Sequence, residues 1–282
     1  MSMRYALCNE VLGHLSFEAA CRLMAEAGYE GVELAPATFA RSVEQLNRDA
    51  RAAIVRTAHT FGLEIVGLHM LLWGHDDLHV AHPDPAVRQR TAHYLEQLVL
   101  FAEAVGAPLM VFGSPKQRST HSLQREEGPG EGTTITPAQA VQLWLDTLQP
   151  ALRLCERSGV MILLEPLPPA ETDVLNTLSE AVAILEQVRH PCLGTLLDVK
   201  GALSETDDVP ALIRRFAPYI RHVHLNDADM RAPGFGPTDF TPILNALREV
   251  GYRGWCSVEP LDYSPDAEQV AWGAIRYLRQ RG

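Results

Sequence analysis

The sequence predicts a single-domain (β/α)8 barrel over residues 1–282, and three observations carry that prediction. Eight short, mostly apolar runs recur, amphipathic helical patterns lie between most of them, and several of those patterns end in a glycine shortly before the next run. Uninterrupted Val, Ile and Leu runs suit strands of a parallel sheet, whose two faces are both covered. A glycine accepts the left-handed conformation that ends a helix, so EAGYEGVEL, TFGLEIVGL, AVGAPLMVF, RSGVMILLE and EVGYRGWCSV each read as helix, tight turn, strand. A doubly wound open sheet is the alternative. Eight repeats, and no G-x-G-x-x-G after the first strand, count against it.

The units follow in order. RYALCN (4–9) is the first strand, and SFEAACRLMAEAG (16–28) its helix, with Ser16 as N-cap, Gly28 as stop, and Phe17, Ala20, Leu23, Met24 and Ala27 on one face. GVELA (31–35) pairs with the helix VEQLNRDARAAIVRTAHTFG (43–62), and EIVGLH (64–69) with the helix starting at DPAVRQR and ending at Gly106. PLMVFG (108–113) leads into a long Gly-, Ser- and charge-rich segment, residues 114–137, and then a helix ending at Gly159. Loops of that length are functional or mobile, and the alternation resumes after it, so it marks no domain boundary. MILLEP (161–166) precedes LSEAVAILEQV, GTLLDV (194–199) precedes DVPALIRRFAPYI, HVHLN (222–226) precedes FTPILNALREVG, and WCSVEP (255–260) precedes the last helix, DAEQVAWGAIRYLRQ.

Composition narrows the function. With 46% hydrophobic and 21% charged residues the chain is globular in character, and no apolar run approaches the ~20 residues of a membrane helix. A net charge of −11 opposes nucleic acid, whose binding relies on Lys and Arg neutralising phosphates. Cys8, Cys21, Cys155, Cys192 and Cys256 are scattered and lack C-x-x-C spacing, which argues against a disulfide framework and a thiolate zinc site. MSMRYALCNE lacks a secretory signal pattern, so the expected location is cytoplasmic.

Functional groups of a parallel barrel sit at the C-terminal ends of its strands. The runs end in Asn9, Glu33, His69, Gly113–Ser114, Glu165, Asp198, His224 and Glu259. Glu165, Asp198, His224 and Glu259 come from four successive strands and are expected to converge. Three carboxylates beside one imidazole repel one another unless a divalent cation sits among them. Oxygen-rich ligation with one nitrogen suits Mn²⁺, Mg²⁺ or Co²⁺ at least as well as Zn²⁺.

LLEPLPPAET, LLDVKG, HVHLND followed by PGFGPTDF, and SVEP resemble the successive motifs of the sugar phosphate isomerase/epimerase superfamily, the xylose isomerase-like TIM barrels. That group includes ketose 3-epimerases, hydroxypyruvate isomerase, inosose dehydratase and endonuclease IV. The resemblance implies that Glu165, Asp198, His224 and Glu259 ligate one divalent metal, Mn²⁺ first, and that Glu165 and Glu259 form the proton-transfer pair. The implied chemistry is proton abstraction next to a carbonyl, an isomerisation or epimerisation, with an inosose dehydratase-like elimination, a metal-dependent nuclease or a non-catalytic binding barrel as alternatives. Glu171 matches an acid near the substrate, and Arg231 a substrate-contacting arginine. The chain departs from the pattern at Gly201, where superfamily members often carry a histidine, with Lys200 just before it.

Further expectations concern the mouth of the barrel. Lys116 and Arg118 in GSPKQR bring two positive charges there and read as an anion clamp, to which Lys200 adds, implying a sugar phosphate, sugar acid or keto acid as substrate. His69 and Trp73 are candidate substrate contacts. His75, His79 and His82 read as lid or surface, and Pro233–Gly236 as a lid hinge with Asp239 capping the next helix. Barrels of this type often form homodimers, although no segment marks an interface.

Overall fold

Eight strands, β1 (Arg4–Cys8), β2 (Gly31–Leu34), β3 (Glu64–Leu68), β4 (Leu109–Phe112), β5 (Met161–Leu164), β6 (Leu193–Asp198), β7 (Ile220–Leu225) and β8 (Trp255–Val258), pair in parallel in chain order. β8 returns to β1 and closes the ring, Ala6 lying opposite Ser257. All eight predicted strands are present, and the chain is the expected (β/α)8 barrel. The computed structural model describes residues 3–127 and 135–281. Residues 128–134 of the long segment after β4 lie outside the described residues.

Side-chain alternation sorts each strand into two environments. On β2, Val32 and Leu34 join the core packed under the helices, while the intervening Glu33 faces the barrel interior and meets His222 and His224 of β7. Around the barrel run α1 (Phe17–Ala27), α2 (Arg48–Thr60), α3 (Pro85–Val105), α4 (Thr120–Glu127), α5 (Pro137–Ser158), α6 (Leu178–Val188), α7 (Val199–Glu205), α8 (Val209–Phe216), α9 (Thr241–Glu249) and α10 (Ala267–Arg279). Ser16 caps α1 by accepting from the Ala19 amide, and Gly28 ends it at φ +103°. Asp239 accepts from the Thr241 amide just ahead of α9, but the cap position falls on Phe240, one residue later than expected.

Three elements differ from expectation. The unit read as one helix over 43–62 divides into a short 3₁₀ turn, Val43–Gln45, and α2, because the Asn47 side chain accepts from the Ala50 amide and so starts the helix afresh. α4 forms inside the long segment after β4. α7 begins directly after β6, with the Asp198 carboxylate as its cap. No helix among the described residues is long and apolar enough to cross a membrane.

The loops at the C-terminal ends of β3, β4 and β5 are sewn together by residues 117–120. Gln117 donates to the carbonyls of Leu72 and His75 and accepts from the Val80 amide, which ties down the loop after β3. Ser119 and Thr120 hold Asp173 in the loop after β5 through three hydrogen bonds. His79 is buried in this seam: its Nδ1 accepts from the Ala81 amide at 3.1 Å and its Nε2 faces the Ser119 carbonyl at 3.1 Å, an arrangement that requires the neutral Nε2–H tautomer. His79 is therefore a loop fastening.

Burial pushes the His79 imidazole down to about 4. Between roughly pH 6.5 and that value the unfolded chain binds a proton that the folded chain refuses, so stability falls as pH drops through this window. The loss is at most about 3 kcal/mol. His79→Gln is expected to reduce the difference in urea-unfolding free energy between pH 7 and pH 4.5 by an amount of that order; an unchanged difference would refute the assignment.

Candidate active site

Asp198 ends β6, His224 lies one residue before the end of β7, and Glu165 and Glu259 follow β5 and β8 by one residue. Closure of the ring brings them together: Asp198 is in register with His224, and each of the four offers a ligand atom within 4.8 Å of the others. All four are buried. His224 Nδ1 lies 3.0 Å from Glu165 Oε1 and 2.9 Å from Glu259 Oε2, so one imidazole edge faces both glutamates.

A second ring of polar groups aims the first. His224 Nε2 rests 3.2 Å from Glu33, whose other oxygen is 2.8 Å from His222 Nε2. A ligand histidine backed by a carboxylate is the arrangement that fixes tautomer and ring orientation at metal sites. Asn226 donates to Asp198 and Glu259, and its own carbonyl accepts from the Lys200 amide. His69 bridges Glu10 at 2.8 Å and Glu259 at 3.1 Å. Of this ring, sequence reading singled out His69; Glu33 stood out only as a polar strand end. Glu10, His222 and Asn226 were missed, each lying one or two residues from a strand end or ligand that was noted.

Burial raises Asp198, and the charge of Glu165 beside it adds to the effect, so that its carboxyl is pushed up to about 7. Burial would also raise Glu259 and Glu33, but His224 with His69, and His222 with His224, hold them well below the usual carboxylate range. Burial alone would lower His69 and His224, yet the surrounding acids raise both imidazoles well above theirs. Three carboxylates and an imidazole, aimed from behind, could hold a divalent ion of the oxygen-preferring kind.

A sequence model of the xylose isomerase-like TIM barrel family matches residues 21–281. The chain belongs to that family. D-psicose 3-epimerase of Ruminiclostridium cellulolyticum is 29% identical over 116 residues, 41% of this chain and 40% of that protein, so the match spans under half the epimerase's length. A putative hydroxypyruvate isomerase of Homo sapiens is 26% identical over 262 residues, 90% of this chain and 87% of that protein. The apo crystal structure of a 3-keto-D-glucoside 4-epimerase from E. coli shares the fold, with a TM-score of 0.82 at 18% identity over 99% of this chain and 100% of that one. The protein is an enzyme of this family, and the two relatives named above by sequence are an epimerase and a putative isomerase.

In this xylose isomerase-like barrel, a cavity of about 590 Å³ opens over the cluster and is lined by Glu165, Glu259, Trp73, Lys116, Glu171 and Lys200, among others. Those six expected site residues are thus brought together. Trp73 is half exposed on the rim. Lys200 Nζ is 2.5 Å from Glu171 Oε1, so its charge is already neutralised by a neighbour. His69 lies behind Glu259, fully buried, and does not reach the cavity. Arg118 corrects the anion-clamp expectation: it is fully buried, turned away from the cavity, and its guanidinium donates to the carbonyls of Phe112, Glu165 and Leu175. Arg231 also departs from expectation. It pairs with Asp229 outside the cavity lining, because two residues of tight turn bring that carboxylate to it.

Glycines shape the floor. A Cβ on Gly113 would stand 2.1 Å from Glu165 Oε2, so the chain passes the carboxylate where no side chain fits. At Gly201 a Cβ would meet the Pro166 carbonyl at 2.7 Å, and the Gly201 amide donates to Asp198 Oδ1 at 2.6 Å. Gly236 presses on Asp227 and the ring of Phe235 on Gly273, which makes Pro233–Gly236 a packed turn.

Gly113→Ala is expected to displace the Glu165 carboxylate and weaken Mn²⁺ binding by about tenfold or more, read by electron paramagnetic resonance titration. Unaltered Mn²⁺ affinity in a folded variant would contradict the placement of Glu165.

Proposed function

We propose that this enzyme moves a proton at a carbon adjacent to a carbonyl of a small polyhydroxylated substrate, an isomerisation or epimerisation, with Glu165 as the proton acceptor. One observation carries the reading. Glu165 Oε1 is engaged by His224, while Oε2 has no hydrogen-bond partner among the described residues and borders the cavity beside Gly113. A general base needs a free oxygen within reach of the proton it removes. Both Glu259 oxygens are held, by His69 on one side and by His224 and Asn226 on the other. Glu259 is accordingly the more constrained member of the pair, returning the proton on the opposite face when the reaction is an epimerisation.

Glu165, Asp198, His224 and Glu259 would hold one divalent ion, Mn²⁺ first. Such an ion, when bound, polarises the carbonyl and makes the neighbouring C–H bond more acidic. Glu33, Asn226 and His69 keep the four side chains aimed, and Lys200 with Glu171 presents a donor and an acceptor side by side, the pattern that reads a substrate hydroxyl.

Charge supports an uncharged substrate over the acid or phosphate expected from sequence. The cavity lining carries Glu10, Asp76, Glu165, Glu171 and Glu259 against Lys116 and Lys200, and Lys200 is paired. The cavity also adjoins a second one of about 580 Å³, sharing Asp76, Lys116, Gln117 and Glu171 in its wall, which leaves room for a substrate longer than a free sugar.

Protein prepared without chelator is expected to carry about one divalent ion per chain. Uncharged ketoses and keto sugars incubated with it in D₂O should exchange a C–H proton for deuterium, and Glu165→Gln should abolish that exchange while leaving the circular dichroism spectrum unchanged. Retained exchange in Glu165→Gln would sink the assignment of the base. Exchange confined to sugar phosphates or sugar acids, with a KM that rises sharply in Lys116→Ala, would overturn the uncharged-substrate reading.

A further inference from the structure

Arg118 poses a problem of physical chemistry. Its side chain is fully buried, and among the described residues no carboxylate forms a salt bridge with it. Burying a cation without a paired acid is costly, and such groups persist only where hydrogen bonds and a specific role offset the desolvation. Burial pulls the guanidinium down to about 10, with the charges of Glu165 and Glu171 opposing that fall.

Its partners are main-chain oxygens. Nη1 donates to the Glu165 carbonyl at 2.8 Å and reaches the Phe112 carbonyl at 3.5 Å, while Nη2 faces the Leu175 carbonyl at 3.4 Å. The indole of Trp144, from α5, covers the guanidinium with its centroid 5.2 Å away. One planar group thus spans the end of β4, the residue after β5 and the far end of the β5–α6 loop. That loop carries Glu165 at its start and Glu171 in its middle. Its other end is unusual: Leu175 sits at φ +62°, a conformation that a branched side chain rarely adopts, and its carbonyl also accepts from the Leu167 amide at 3.2 Å. Ser119 and Thr120, next in sequence, grip Asp173 in the same loop.

We infer that Arg118 is a positioning residue, whose guanidinium locks the Glu165–Leu175 loop and thereby fixes where the Glu165 carboxylate and Glu171 stand over the cavity. This rests on the reading of Glu165 as ligand and base, and it assigns to Arg118 a part in that chemistry without contact with substrate. An arginine suits the role because its fixed fork of donors reaches three carbonyls from one plane, which an ammonium cannot do.

The test compares the unaltered protein with Arg118→Leu and Arg118→Lys by amide hydrogen exchange and by Mn²⁺ titration. In Arg118→Leu, exchange at residues 165–176 should speed by about tenfold or more, Mn²⁺ affinity should fall by about tenfold, and amides of β1 and β2 across the barrel should keep their rates. Arg118→Lys, which keeps a cationic donor, should show the same pattern at a smaller amplitude, and it decides the matter where the leucine variant does not fold. Loop exchange and Mn²⁺ affinity equal to the unaltered protein, or acceleration spread evenly over all strands, would overturn the proposal. The exchange experiment needs neither metal nor substrate. Failure of the proposed reaction would show instead as unaltered protein that exchanges no substrate proton, with the loop measurement unaffected.

Discussion

Closing eight parallel strands into a ring forces their C-terminal ends together, and in this chain three of those ends deliver carboxylates into one small volume. Like charges a few ångströms apart and shielded from water are strongly destabilising, so the rest of the interior is organised around that repulsion. The chain answers with alternating layers down the barrel. Glu165 and Glu259 meet His224, His224 meets Glu33, Glu33 meets His222, and His222 meets Ser257. A side branch runs from Glu259 through His69 to Glu10. His224 and His69 each stand between acids, so removing either leaves a buried carboxylate short of a partner, a larger loss than that of a single neutral hydrogen bond. Asp198 accepts from the Gly201 amide and from Asn226 rather than from an imidazole, and burial together with the charge of Glu165 pushes its carboxyl toward neutrality.

The same requirement accounts for the hydrogen bonds that fasten the loops at the mouth. Charges that close tolerate little positional error, since Coulomb energy at low dielectric changes steeply with distance. Loops are ordinarily the mobile part of a barrel. Here the segment from Gln117 to Thr120 fastens the loops after β3 and β5 to its own, using backbone carbonyls, Asp173 and the buried His79. A stretch that reads as a cationic turn when only its residue types are considered is, in three dimensions, a bolt between loops.

That contrast shows where the sequence is legible. The strands, the barrel and the four converging residues could be read because each depends on local pattern plus one rule of topology: apolar runs make strands, and strand ends share a face. Glu33 illustrates the limit. It ends its run like Glu165 does, yet its role is set by His222 and His224, residues nearly two hundred positions away. Arg118 illustrates it more sharply, because whether an arginine after a strand faces the cavity or the space behind it depends on the course of the loop, here set by Ser114 at φ +40° and by where the Trp144 ring leaves room. The Lys200–Glu171 pair was legible as two candidate contacts but not as one neutral unit.

At Gly201, where the sequence resemblance implies a histidine, the local packing leaves no room for a side chain. The glycine's amide donates to the capping carboxylate of Asp198, its Cα passes so close to Pro166 that a Cβ would stand 2.7 Å from that carbonyl, and α7 starts at once. A histidine at this position would require the β5 loop to withdraw, and that loop is held by Arg118, Ser119 and Thr120. The bare Cα at Gly201 and the fastened loop are therefore two sides of one arrangement. With α7 drawn in close, Lys200 is turned into the cavity, where Glu171 from the braced loop receives it. A donor remains at this side of the cavity, but it is now an ammonium paired to an acid. Such a pair offers one donor and one acceptor with no net charge, matched to a hydroxyl and poorly matched to an anion.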